Sequence, residues 1–280
     1  MLNPRSTLVA LAAPLALGAT AAHGQAAPSL RDIIAPHRAI YDIKLARTEN
    51  GSGVSSASGR MVFEVTGNAC QGYSMRQRMV VNIGDEDGNL GKLDFQISTF
   101  ESGAGDLYTF DSRTTMNEEV VEAVEGAARR RDSAIEVTLK RPAEKTVLVD
   151  GGALFPSQHL QAIIDAARGD QEFLSVDIYE GAGTGESSDE AAAAIGRATR
   201  TRADNLIGGG LRQWPVSIGY FDAEGVSAEH AGEELPTYQM SFMLYENGVT
   251  SDLVMDYGDY ALLGSLQEIE RLASSNCASP

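Results

Sequence analysis

The 280-residue sequence is short of the side chains from which most catalytic and metal sites are assembled, with two cysteines and four histidines. Cys70 and Cys277 lack the Cys-X-X-Cys spacing that tunes redox and zinc sites. His23, His37, His159 and His230 fall in unrelated segments, so no metal-ligand spacing exists, and no metal or cofactor is expected. No Gly-X-Ser-X-Gly elbow occurs, which removes the signature of the common serine hydrolases. The glycine-rich Gly181-Ala182-Gly183-Thr184-Gly185 is followed by Glu186 and Ser187, not by the Lys and hydroxyl residue of a phosphate loop, and reads as a solvent-exposed turn.

Basic residues are scarce as well. Lys and Arg number 22 against 39 Asp and Glu, a formal charge of −17. Such a surface repels phosphate backbones and anionic headgroups, which makes nucleic acid a poor partner. The one basic run, Arg129 to Arg131, stands near Glu118, Glu119, Glu122 and Glu125 and reads as one side of a solvated charged hairpin. Carboxylates paired at Glu118-Glu119 and at Asp256 and Asp259 meet a glycosidase's need, but any acidic protein has such pairs.

Long apolar runs are missing too. Arg5 precedes an apolar stretch from Leu8 to Leu17, and small residues follow through Ala21, Ala22 and Gly24. That is the pattern of a secretory signal peptide, too short to span a bilayer, and no later stretch is apolar enough to cross one. Residues 1–26 are expected to be removed by a cut between Ala21 and Ala27. No cysteine lies near the cut, so lipidation is not expected. Losing Arg5 and no acid takes the charge from −17 to −18. In an oxidising compartment a lone cysteine pair reads most simply as a disulfide, with a redox-active pair as the competing reading. A bridge closing so long a loop is worth roughly 5 kcal/mol in the chain-entropy model.

What the sequence has is alternation. Ala39, Tyr41, Ile43 and Leu45 alternate with Arg38, Asp42 and Lys44; Met61, Phe63 and Val65 form the next apolar set; Tyr73, Met75, Met79 and Val81 follow, then Leu93, Phe95 and Ile97. A side-chain period of two makes these strands with one wet face. The clearest local instruction is Pro236 to Tyr260, where Tyr238, Met240, Phe242 and Leu244 alternate up to Asn247-Gly248, and Leu253, Met255 and Tyr257 resume beyond it. That pattern predicts a hairpin with a type I′ turn. Glu118 to Asp132 reads as a charged strand and turn, and Thr146 to Val149 as a short strand. The period changes once, in FPSQHLQAIIDAARGD, where Leu160, Ile163, Ile164 and Ala167 predict a helix capped by Ser157 and ended by Gly169. Ala191 to Ala194 favours helix locally, though the region around Ile195 suits a strand better. Leu262, Leu263, Leu266, Ile269 and Leu272 suggest a second, amphipathic helix. Residues 27–280 are read as one all-β domain of about a dozen strands.

PHRAIYDIKL, GRMVFEV, a cysteine before GYSMRQRMV, FPSQHL, WPVSIGYF, YENGV and a terminal cysteine, spread from Pro36 to Cys277, together resemble the cell-envelope integrity family EipB. The resemblance implies a periplasmic protein of Gram-negative cells, folded as a spiral, open β-barrel-like sheet similar in shape to lipoprotein carriers, with Cys70 and Cys277 as its internal bridge. Glu186 to Asn205, acidic and alanine-rich, departs from that pattern. No catalytic residue carries over.

The expected protein is mainly β, an open barrel-like spiral of antiparallel strands with one or two helices, exported and not an enzyme. It would serve envelope integrity by binding a lipid, a lipoprotein or another envelope protein. Its candidate inner wall is Met61, Phe63, Tyr73, Met75, Trp214, Tyr238, Met240, Phe242 and Leu244. Those residues are adaptable enough to line a cavity, and a filled core needs the same set. The hairpin at Asn247 would be the closing turn of the spiral. The alternatives are a protein scaffold without a small ligand, which requires an exposed apolar patch outside the cavity, and an envelope hydrolase, which requires His37 or His159 to meet a carboxylate or serine.

Overall fold

The structure is a computed structural model that describes residues 29–222 and 235–274. The expected signal peptide, nearly all of the expected loop from Asp222 to Glu234 with His230 in it, and Cys277 lie outside the described residues.

The described residues form one long antiparallel sheet with a single helix. Strands β1 (His37–Thr48), β2 (Ser56–Asn68), β3 (Gly72–Gly84), β4 (Leu90–Glu101), β5 (Leu107–Met116), β6 (Glu119–Arg131), β7 (Ala134–Arg141) and β8 (Lys145–Asp150) form a meander. Helix α1 (Pro156–Arg168) follows. Then come β9 (Phe173–Ile178), β10 (Asp189–Ile195), the short β11 (Thr199–Arg200), β12 (Arg212–Asp222), β13 (Tyr238–Tyr245), β14 (Thr250–Asp256) and β15 (Tyr260–Arg271). The spatial order β8-β7-β6-β5-β4-β3-β2-β1-β15-β14-β13-β12-β10-β9 makes the first and last strands neighbours in mid-sheet, with Tyr41 opposite Leu266.

Alternation sorts the two faces as period two requires. On β1, Ala39, Tyr41 and Ile43 are at most 1 % exposed, while Arg38 faces solvent. The charged strand over 118–132 is β6, and the alanine-rich stretch is β10, its Ala191 and Ala193 fully buried opposite Tyr220 and Ile218. Small side chains there admit the facing core, which overrides alanine's helix preference.

Four expectations need correction. The second helix is strand β15: Leu262 and Leu266 sit in register against Leu45 and Tyr41, and pairing with β1 outweighs the helical spacing. The turn of the hairpin is not type I′. Only Gly248 takes a positive φ, Gly248 N donates to Tyr245 O and Tyr245 N to Val249 O, a three-residue loop ending in a glycine bulge. Nor does that hairpin close the spiral, for β13 and β14 lie inside the sheet and the edges are β8 and β9. Ser157 does not cap α1: the boundary residue is Phe155, whose N–H donates to the Gln158 side chain at 2.9 Å, and Pro156 opens the helix.

The sheet curls until its edges approach without forming a ladder. Leu154, just past β8, makes a lone parallel bridge to Ile178, with Leu154 N donating to Asp177 O and Tyr179 N to Leu154 O. The result is an open spiral. Helix α1 lies inside the curl and buries Ile163, Ile164 and Ala167 against a core that includes Tyr41, Met61, Trp214 and Leu244. Each such isoleucine is worth about 2–3 kcal/mol of burial. A second core, Tyr108, Phe110, Val137, Phe155 and Tyr179 among others, fills the β5–β8 side.

Candidate functional site

The registers give the spiral two unlike mouths. At the His37 end, α1 and the segment before β1 form a plug: Leu30 N donates to Gly103 O, Ala35 N to Asn247 O, Arg168 to Glu246 O, and Arg31 pairs with Asp165. The plug is locked by a polar cluster that sequence reading missed. Glu101, 2 % exposed, accepts the Ser157 N–H at 2.7 Å, and Arg130 donates to the carbonyls of Gly105, Gly151 and Ala153 and to Gln158 while its guanidinium lies 4.5 Å from the Phe155 ring centre. Burial pushes the Glu101 carboxyl up to about 7, against the pull of the helix-start donors and Arg130. Arg130 therefore is not on a solvated hairpin face. Both residues were legible: Glu101 is in phase with Leu93, Phe95 and Ile97, and Arg130 with Val124 and Ala128, so each must point inward.

The histidines do not build a hydrolase. His37 is buried, its Nδ1 2.7 Å from Ala35 O and its ring 5.7 Å from Phe63. His159 is 4 % exposed, its Nε2 has no hydrogen-bond partner, and burial pushes it down to about 4. Neither meets a carboxylate or serine oxygen among the described hydrogen bonds, and no group of metal-ligating side chains occurs among the described residues.

At the Thr48 end no described residues fill the curl as α1 does. The inward-facing residues there, Leu45, Ile83, Leu93, Phe95, Met240 and Tyr260, are only half-buried, where their counterparts deeper in, Tyr41, Met79 and Leu244, are 4 % exposed or less. Four tyrosines line this mouth, on β12, β13 and β15 and in the turn between β14 and β15. Tyr220 lies directly opposite Tyr238, with ring centres 5.7 Å apart; Tyr238 to Tyr257 is 5.2 Å and Tyr257 to Tyr260 is 5.1 Å. Burial pushes their hydroxyls up, Tyr257 to about 12, so all four stay neutral at physiological pH.

Glu180 faces them from the loop after β9. Its carboxyl lies deep among protein atoms, though the residue as a whole is only half-buried, and desolvation with the neighbouring Asp189 charge pushes it up to about 7. Its place is fixed by the glycine loop behind it, whose tip, Ala182 to Thr184, is exposed as expected but whose ends are not. Gly181 and Gly185 are buried, both at positive φ, and a Cβ on Gly181 would stand 2.6 Å from the Phe110 ring. Tyr108 donates to Glu180 O at 3.1 Å and Tyr179 to Gly185 O at 2.8 Å.

The expected wall thus divides. Met61, Tyr73, Trp214, Phe242 and Leu244 are packed into cores, Trp214 at 2 % exposure. Phe63 and Met75 are half-buried, and Tyr238 and Met240 reach the open mouth. Cys70 sits between β2 and β3, its N–H bonded to the Asn68 side chain. Glu186 pairs with Lys145 at the rim of β8. A separate shallow hollow of about 700 Å³ lies on the outer face of β10, β12 and β13, lined by small residues such as Ala194, Ser217 and Ser241 with Pro215 and Met243. It is wide and holds no aromatic cluster, so the tyrosine-lined mouth is the stronger candidate. No helix among the described residues is long and apolar enough to cross a membrane.

A family model described as EipB-like matches residues 30–273. The cell envelope integrity protein EipB of Brucella abortus (strain 2308) is 32 % identical over 241 residues, 85 % of this chain and 84 % of its own length. A crystal structure from Brucella abortus, described as a beta-barrel-like protein of a domain of unknown function, superposes with a TM-score of 0.79 at 31 % identity, covering 86 % of this chain and all of that one.

Proposed function

Because this chain belongs to the EipB-like family, whose Brucella relative is named for cell envelope integrity, we propose that it serves the same end as a non-enzymatic periplasmic binding protein. Its ligand is a lipid or the acyl part of a lipoprotein, taken up at the open Thr48 mouth of the spiral. The observation that carries this reading is the contrast between the mouths: one is plugged by α1 and locked by Glu101 and Arg130, while the other leaves Phe95, Leu93 and Met240 half-covered beneath a rim of tyrosines. A curved sheet with an apolar interior and a few polar groups at its entrance is what a carrier of single chains requires. The Cys70–Cys277 disulfide belongs to the same proposal, as the brace that holds the end of the chain to the β2–β3 turn in an oxidising compartment.

Protein purified under native conditions from its own envelope fraction should carry apolar ligands detectable by native mass spectrometry, and Met240→Glu, which sets a charge on the inner wall, should lose them. Ligand-free wild-type protein, or equal loading of the variant, would remove the carrier reading. The outer hollow at Ser217 and Ser241 favours a second reading, a scaffold for another envelope protein. In that case Ser217→Arg would abolish partner capture and leave ligand loading intact.

A further inference from the structure

Resting on the reading of the open mouth as the ligand site, we propose that this mouth selects an amphiphile whose head group is a single positive charge of the alkylammonium class. Ring faces carry the negative end of the aromatic quadrupole, and a chain of four tyrosine rings spaced 5.1 to 5.7 Å apart offers such faces and edges across three strand ends and the turn between β14 and β15. Opposite stands Glu180. The groups that face it are Asp189, Tyr108, Tyr220 and Tyr238, and none is a cation. No described hydrogen bond or ion pair engages its carboxylate, in a chain where Asp94, Glu125 and Glu246 each have an arginine or lysine partner.

A carboxylate enclosed this deeply is costly unless a positive charge accompanies it. A neutral head group would leave it unrelieved, and an anionic head group would meet both Glu180 and Asp189. Beneath the rim, Phe95, Leu93 and Met240 receive the chain. The site is positioned by the fold, not by accident of rotamer, since Gly181 and Gly185 press the loop onto Phe110 and Leu139. Burial and Asp189 hold the Glu180 carboxyl at about 7, so a bound cation also displaces its proton, and affinity should rise between about pH 6 and pH 8.

Three ten-carbon probes, each below its micelle concentration, separate the possibilities by titration calorimetry: decyltrimethylammonium, decyl maltoside and decanoate. The expected order is ammonium over maltoside by about tenfold, with decanoate weakest. Glu180→Gln and Tyr257→Leu should each cut ammonium affinity several-fold, and by clearly more than either changes maltoside affinity. Tyr257 is 38 % exposed, and a melting curve for each variant separates loss of binding from loss of folding. Equal binding of ammonium and maltoside would overturn the head-group inference while sparing the mouth. Absence of binding by any probe would overturn the mouth itself. An ammonium preference that both variants retain would assign the effect to the protein's overall negative charge and also overturn the inference.

Discussion

Replacing Glu101 by glutamine should make the protein more stable at pH 8, although it alters a buried, hydrogen-bonded residue. Glu101 Oε2 accepts the Ser157 N–H, while Oε1 is buried without a partner. Glutamine keeps an acceptor for Ser157 and carries no charge. The folded-state carboxyl titrates near 7 against an ordinary value of 4.5, so the folded chain holds the proton more tightly than the unfolded one. Stability from this group is then fully present below about pH 4.5 and is lost as pH rises through about 7. At about 1.36 kcal/mol per pH unit, that gap amounts to about 3 kcal/mol, an upper figure because Arg130 and local relaxation soften it. Wild type and Glu101→Gln should have similar urea midpoints at pH 4.5, and the variant should lead increasingly up to pH 8. Taking the difference at each pH cancels the other titrating groups, Glu180 among them. A variant less stable than wild type by the same margin at both pH values would show that the carboxylate is held ionised by Arg130 and would refute the reasoning.

The remaining expectations concern packing, backbone and covalent bracing. Ile164→Ala removes a fully buried side chain from the face that α1 turns to the sheet and should cost about 2–5 kcal/mol, read from chemical denaturation; Leu148→Ala, 71 % exposed on β8, should change stability by less than about 0.5 kcal/mol. Gly181→Ala should cost about 1–3 kcal/mol, because the position has φ +69° and its Cβ would abut Phe110. Its ligand affinity should fall too, since the same backbone sets Glu180 in the mouth. Cys70→Ser should lower the melting temperature only under oxidising conditions, by the equivalent of about 2–5 kcal/mol; identical melting with and without reductant in the wild type would refute the brace.

Much of this architecture is legible in the sequence wherever the period of two is unbroken. The strands at Ala39 to Leu45, Met61 to Val65 and Tyr238 to Leu244 and the helix at Leu160 to Ala167 are found where alternation and helical spacing put them. Local pattern failed at β15 because Leu262, Leu266 and Ile269 fit both a helical stripe and a strand, and what decides is β1, more than 200 residues upstream. At the glycine loop it found the exposed tip and missed the buried ends, for a related reason. Gly181 and Gly185 look like a flexible turn until Phe110, far off in sequence, is seen to need the space that side chains would fill. The candidate site suffered most, since its tyrosines come from three strand ends and a turn and Glu180 from a loop, and only the sheet order brings them together. Glu101 and Arg130 were within reach, because a charged residue in phase with an apolar set announces an inward-facing group that needs a partner.

Where an apolar chain binds decides between a carrier and a scaffold. Amide and methyl chemical-shift mapping of the labelled protein, titrated with decyl maltoside below its micelle concentration, reads that location directly. The expected result is a set of perturbations confined to the Thr48 mouth, at Leu93, Phe95, Tyr238, Met240 and Tyr260, with Ile163 and Ile164 on α1 unmoved. Perturbations centred instead on Ala194, Ser217 and Ser241 of the outer hollow would contradict it.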